Sequence, residues 1–316
     1  MARALARKPR AGWSDAAFRV LLTGLAAVIP LLFLALTGQL AWSAWPSIRA
    51  FGFDFLFSGT WDPVAERFGA GPMIVGTLYS SLVALVLAVP LAIGVAIFLT
   101  EFAPRRLRRP IGTLVELLAA IPSVVYGLWG IFVLIPLLRT YAVPPLQAVL
   151  GWTPLFSGTF HGNSMLAAGI ILAIMILPYI SSVAREVLAA VPSSQREAAL
   201  ALGATRWEAV WSAVLPYARP GLVGAVVLGL GRALGETMAV VMVIGNRHDL
   251  SLSLVEPGYT MAAVIANEFN EAAGLQRAAL FEVGLVLFGV TVAVNAFARI
   301  LVWRVARESA AGSSAI

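Results

Sequence analysis

The sequence predicts an all-α polytopic membrane protein with six spanning helices, and three observations carry that reading. Hydrophobic residues make up 60% of the 316 and charged residues only 12%, whereas a soluble domain is about half apolar and about a quarter charged. Six separate runs reach the roughly 20 apolar residues a helix needs to cross a bilayer. The basic residues collect on alternate connecting loops, as loop charges do when they set membrane orientation.

The first predicted span is about 20–45, "VLLTGLAAVIPLLFLALTGQLAWSAW". Arg3, Arg7, Lys8 and Arg10 precede it as in a signal peptide, but the run exceeds the 7–15 residues of an h-region, which predicts that it is retained. The second, about 73–99, lies in a charge-free stretch from Phe68 to Thr100. The third, about 111–138, carries Glu116 near its start, and "AAIPSVVYGLWG" inside it predicts a bent or closely packed helix. The fourth is about 165–184, the fifth about 220–245 and the sixth about 280–303. Between spans, 46–72 and 139–164 are long, aromatic and rich in Gly and Pro, which favours compact folded loops or a short interfacial helix.

Six crossings put both termini on one side. Sixteen basic residues fall there, with loops 101–110 and 185–219; Arg49, Arg67, Arg139, Arg247 and Arg277 fall opposite, and Arg232 in the membrane completes the 22. The positive-inside rule then predicts both termini in the cytoplasm. Trp42, Trp45 and Trp303 fall where interfacial aromatics belong. A net charge of +6 and a pI near 10.3 would suggest nucleic acid in a soluble chain; here the charges flank apolar runs, and no nucleic-acid partner is expected.

Several chemistries lack their residues. Without cysteine there is no disulfide framework, thiolate nucleophile or Cys-ligated metal. His161 and His248 stand without a carboxylate at ligand spacing, so neither a metal nor a cofactor is expected. The only lysine is Lys8, so no Walker-type loop exists. Any ATP used must be hydrolysed by another polypeptide.

Loop 184–221 is too polar to span, yet it is patterned. "SQREAALALGA" predicts a short helix capped by Ser193 or Ser194, with Glu197 in its N-terminal turn and Gly203 ending it. "TRWEAVWSAVL" predicts a second, opened by a Thr205–Glu208 capping box and halted at Pro216. A re-entry hairpin is the plain alternative to a docking knob.

Glu197, Ala198, Ala199 and Gly203, followed by Leu215-Pro216, resemble the EAA loop of bacterial ABC importer permeases; Ala213 stands where that family often has Ile. "GPMIVGTLYSSLVALVLAVPLAIGVAIFLTEFAPRRLRRPIGTLVELLAAIPSVVYGLWG" and "GRALGETMAVVMVIGN" are similar to the C-type permease of Pst-type phosphate importers, from about Gly71 to the C-terminus. The resemblance implies a type I ABC importer permease fold in a bacterial inner membrane. It also implies a second, A-type permease, an ATP-binding subunit dimer, an extracytoplasmic phosphate-binding protein and inorganic phosphate as cargo. The implied division is 1–70 as tail, first span and external loop, 71–305 as permease core with coupling loop 185–219, and 306–316 as a short tail. In that family the first short helix of the loop sits in a groove of the ATP-binding subunit and transmits its closure.

"GLGRALGETMAVVMVIG", 229–245, places Arg232 and Glu236 in the fifth run. A charge at a helix centre costs roughly 2.5–3.5 kcal/mol on insertion scales, so neither is expected to face lipid unpaired. Residues i and i+4 share a helix face, so the two can pair and fasten spans together. The alternative is a lining of an anion path, to which the resemblance also points. A guanidinium fork fits phosphate oxygens, and near neutral pH phosphate keeps a proton through which it can donate a hydrogen bond to Glu236, while sulfate has none. Thr237 and Asn246 are weaker candidates, because either can merely satisfy helix backbone. No chemistry is expected of the chain itself, which is not read as an enzyme. A permease for another oxyanion, sulfate or molybdate, and a proton-coupled secondary transporter remain the alternatives.

Overall fold

Apolar runs in lipid find no water for their backbone groups, so they close their own hydrogen bonds as helices. The computed structural model describes residues 13–313. The basic anchor Arg3, Arg7, Lys8 and Arg10, and the last three residues of the tail, lie outside the described residues.

Helix α1, Trp13–Phe51, leads through the short α2, Asp54–Phe57, to a hairpin of β1, Trp61–Asp62, and β2, Arg67–Phe68, with Trp61 opposite Phe68. Helix α3, Gly71–Ile97, runs on through a π-helical turn, Phe98–Phe102, to the amphipathic α4, Arg105–Ala120. The next crossing is composite: α5 (Ser123–Trp129), α6 (Ile135–Leu137) and α7 (Val143–Leu150) are joined by π turns Gly130–Leu134 and Leu138–Ala142. Then come α8 (Met165–Ala189), α9 (Ser193–Ala201) and α10 (Arg206–Ala209). A π turn at Val210–Val214 joins α10 to α11 (Leu215–Leu234), and α12 (Met238–Val243), α13 (Met261–Glu268) and α14 (Gly274–Ser313) follow among the described residues.

Among the described residues, six helices are long and apolar enough to cross a membrane: Ala17–Phe51, Gly71–Phe102, Ser123–Leu150, Met165–Ala189, Arg206–Leu234 and Gly274–Arg304. Their centre is α3 against α8. Ala84, Ala88, Ala92 and Ala96 form a fully buried ridge at every fourth residue of α3, in one cluster with Ile171, Leu172 and Ile176 of α8. Small residues at such a seam let backbones approach closely in lipid. Helix α1 lies outside this core against α14, with Phe33 and Phe288 ring centroids 4.6 Å apart. A second cluster, including Phe55, Phe68, Met73, Tyr259 and Leu280, seals the hairpin side, called here the far side; α4, α9 and α10 lie on the basic side.

Four expectations are corrected. The third span starts at Ser123, not near 111, because Pro122 disfavours helical geometry at Ile121, which is extended (φ −68°, ψ 128°). Glu116 therefore belongs to α4, outside the crossing. The fifth run is split: α11 ends at Leu234 and α12 begins at Met238. Ser193 and Ser194 do not cap α9; Pro192 occupies the N-cap position and the serines are its first helical residues. Pro216 does not halt its helix. Each of the four π turns ends two residues before a proline, namely Pro104, Pro136, Pro144 and Pro216. Proline lacks an N–H and its ring collides with the carbonyl four residues back. The extra residue of a π turn shifts that carbonyl, so the helix continues through Pro136, Pro144 and Pro216, whereas before Pro104 it ends, with Ala103 extended.

Candidate functional site

The split fifth run holds the charged pair. Arg232 stands in the last turn of α11, where a cation favours the helix dipole. Glu236 lies just ahead of α12, and its Oε1 accepts the Ala239 N–H at 3.3 Å. Arg232 Nη1 and Glu236 Oε2 are 2.8 Å apart. Each charge thus sits at the helix end whose partial charge suits it. The break makes the pair tolerable in an apolar run.

The two are not equally enclosed. The Glu236 side chain is 4% exposed and that of Arg232 39%. The guanidinium lies over the Tyr179 ring of α8, 5.9 Å from its centroid. Gly229 lets α11 come this close, since a Cβ there would stand 2.5 Å from Ile180 Cγ1. Depth follows from α8: Ser164 N–H bonds Val243 O at the far-side end. Tyr179 lies fourteen residues beyond Met165, about 21 Å down the helix at 1.5 Å per residue. Arg232 is therefore a donor placed beside the middle third of α8, with part of its side chain open.

Thr237 is half-buried and its hydroxyl reaches Gly235 O at 3.4 Å. Asn246, at φ +54°, donates to Val241 O at 2.9 Å and so closes the end of α12. Both satisfy backbone. Tyr179 had no signal in the sequence beyond being an aromatic within a span.

The predicted loop residues gather in a foot on the basic side. Glu197 and Ala198 are exposed and Ala199 half-buried, and Glu197 forms no ion pair among the described residues. At the end of α9 the Gly203 N–H bonds Leu200 O and the Ala204 N–H bonds Ala199 O, a Schellman closure that needs the φ of +90° found at Gly203. Both bonds of the Thr205–Glu208 capping box are present. Leu202, Trp207 and Trp211 are exposed on the foot, Leu202 at 90%. Leu215 and Pro216 line an apolar groove of about 590 Å³ between α3 and α11. A cavity of about 940 Å³ opens above the foot, among Glu101, Arg105, Arg185, Glu186 and Arg196. It does not include Arg232.

His248, solitary in the sequence, meets a carboxylate in space. Its Nε2 is 3.1 Å from Glu268 Oε1, while Glu268 Oε2 accepts from Trp61 Nε1 at 2.8 Å and from Gln276 at 3.2 Å. The cluster ties the hairpin to α13 on the far side. No group of three His, Asp or Glu able to hold a metal ion occurs among the described residues. Burial pushes the His248 pKa below its ordinary value, outweighing the opposing charges of Glu268 and Asp249. The unfolded chain then binds the proton more readily, so this contribution is intact above about pH 6.5 and is lost as pH falls below it. His248→Gln is expected to flatten the thermal-melting profile between pH 7 and 6, read by scanning fluorimetry in detergent.

A family model described as "Binding-protein-dependent transport system inner membrane component" matches residues 88–307, from within α3 into α14. The chain belongs to that family. Curated relatives of this inner membrane component include the "Phosphate transport system permease protein PstC" of Pasteurella multocida, 50% identical, with 88% of each chain covered. The protein of the same name from Haemophilus influenzae is 47% identical over 92% of this chain and 93% of its own. A "Probable phosphate transport system permease protein PstC" from Methanocaldococcus jannaschii is 36% identical over 88% and 90%. Among solved structures, a chain of the inward-facing MetNI methionine ABC transporter superposes with a TM-score of 0.54 at 18% identity, covering 78% of this chain and 99% of that one. That likeness shows a shared fold.

Proposed function

We propose that this chain is a membrane-spanning subunit of an ATP-driven importer of inorganic phosphate. The observation that carries the reading is 50% identity over 88% of both chains to a phosphate transport system permease. Residues 71–305 form the permease core, both termini and the foot face the cytoplasm, and the subunit sits in a bacterial inner membrane. A homologous second permease closes the open side of Arg232. An ATP-hydrolysing dimer engages Glu197, Ala198 and Ala199 from below, and an extracytoplasmic binding protein delivers phosphate to the far side.

Mechanistically, Arg232 offers donors to a passing anion while Glu236, bonded to the same guanidinium, offsets its charge so that the anion is released. The subunit has no bond-making step. Alternating access comes from the ATP-hydrolysing chains, which separate and close beneath the foot.

The test is uptake by the complete complex in vesicles, with phosphate and sulfate in competition. Wild type is expected to take up phosphate only with ATP inside the vesicle lumen that faces the foot. Glu236→Gln is expected to weaken phosphate preference over sulfate by about tenfold, the order of one charge-assisted hydrogen bond. ATP-independent uptake by the purified chain alone would overturn the reading, and unchanged selectivity in the variant would remove Glu236 from anion choice.

A further inference from the structure

Foot helix α9 buries no residue of its own, so apolar packing of its side chains does not fix it to the membrane core. One side chain makes a directed link. Arg196 Nε donates to both carboxylate oxygens of Glu101 at 3.1 Å, and Nη2 donates to Glu101 Oε1 at 2.8 Å. The same guanidinium donates through Nη1 to Val191 O at 2.6 Å and through Nη2 to Leu188 O at 2.8 Å. Glu101 belongs to the π turn that ends the α3 crossing. Leu188 lies in the last turn of α8, and its carbonyl also accepts the Val191 N–H at 3.3 Å. A single planar fork therefore joins the foot to the basic-side ends of the two helices at the centre of the fold.

The chemistry suits a rigid link. A guanidinium has its donors fixed in one plane, and a bidentate carboxylate bond sets direction as well as distance. The Arg196 and Glu101 side chains are 24% and 14% exposed, so water and salt screen the pair less than an exposed one. A second side-chain contact between the α3 end and the foot, Phe102 with Trp207 at 5.9 Å between ring centroids, is an apolar contact without such direction.

We propose that Arg196 and Glu101 form the strut through which displacement of the foot moves α3 and α8. Both are positioning residues, and the proposal rests on the reading of α9 as the foot engaged by the ATP-hydrolysing chain. Arg196→Lys replaces the fork with a point charge, and Glu101→Gln keeps shape while removing charge.

The complete complex carrying either variant, or both, is reconstituted in vesicles, with phosphate uptake and ATP hydrolysis measured together. Each single variant is expected to retain the ATP-hydrolysing chain and its hydrolysis, while phosphate moved per ATP falls about tenfold, within the range of coupling changes at such links. The double variant is expected to be no worse than either single one, as for two groups acting through one contact. An unchanged ratio, an additive double variant, or loss of the ATP-hydrolysing chain from the variants alone would overturn the strut. A wild-type complex in which that chain never engages the foot would overturn the foot reading as well.

Discussion

Replacing Arg232 with lysine is expected to reduce phosphate uptake by roughly tenfold to a hundredfold while the complex stays assembled. The magnitude corresponds to losing one or two hydrogen bonds between charged groups. Lysine keeps the positive charge and can still reach Glu236, so the ion pair as a fastener largely survives. What it loses is the planar fork and the contact of the guanidinium carbon with the Tyr179 ring. Uptake by the reconstituted complex, together with co-purification of all subunits, separates the two roles. Full uptake with lysine would leave Arg232 as a fastener only. Disassembly would say the same by another route.

The second large effect is expected at Gly203. At φ +90° a β-branched side chain is strained by about 1–3 kcal/mol, so Gly203→Val is expected to open the Schellman closure and re-aim α9 against α10. Retention of the ATP-hydrolysing chain on affinity purification should fall roughly tenfold or more. Gly203→Asn should recover much of it, since asparagine accepts the left-handed region better than other non-glycine residues. Equal loss with valine and asparagine would mean that something other than backbone geometry is at stake. No loss with valine would remove the closure from docking.

The crossings were legible because a charge-free run of sufficient length has few alternatives in lipid. The foot was legible because capping boxes and helix-ending glycines act within a few residues. The misreadings share a cause: in a uniformly apolar stretch, local breakers leave no contrast in composition. Ile121-Pro122 reads as a kink inside a longer span, yet it separates α4 from α5. Gly235 is a weak signal on its own, and nothing around it announces that α11 stops before Glu236. Pro216 misleads in the other sense, because the preceding π turn absorbs the ring. Contacts that join distant segments left no trace in the linear chain: Arg232 with Tyr179, His248 with Glu268, and Arg196 with Glu101, 95 residues earlier.

The half-open position of Arg232 has a consequence for biogenesis. If a second permease covers Arg232 as proposed, a copy inserted without it presents part of a guanidinium to acyl chains, at a cost bounded by the roughly 2.5–3.5 kcal/mol of a fully lipid-exposed charge at a helix centre. Covering that charge rewards pairing. On the proposed reading, surplus copies are then marked as unfinished by the same side chain that is proposed to meet the anion.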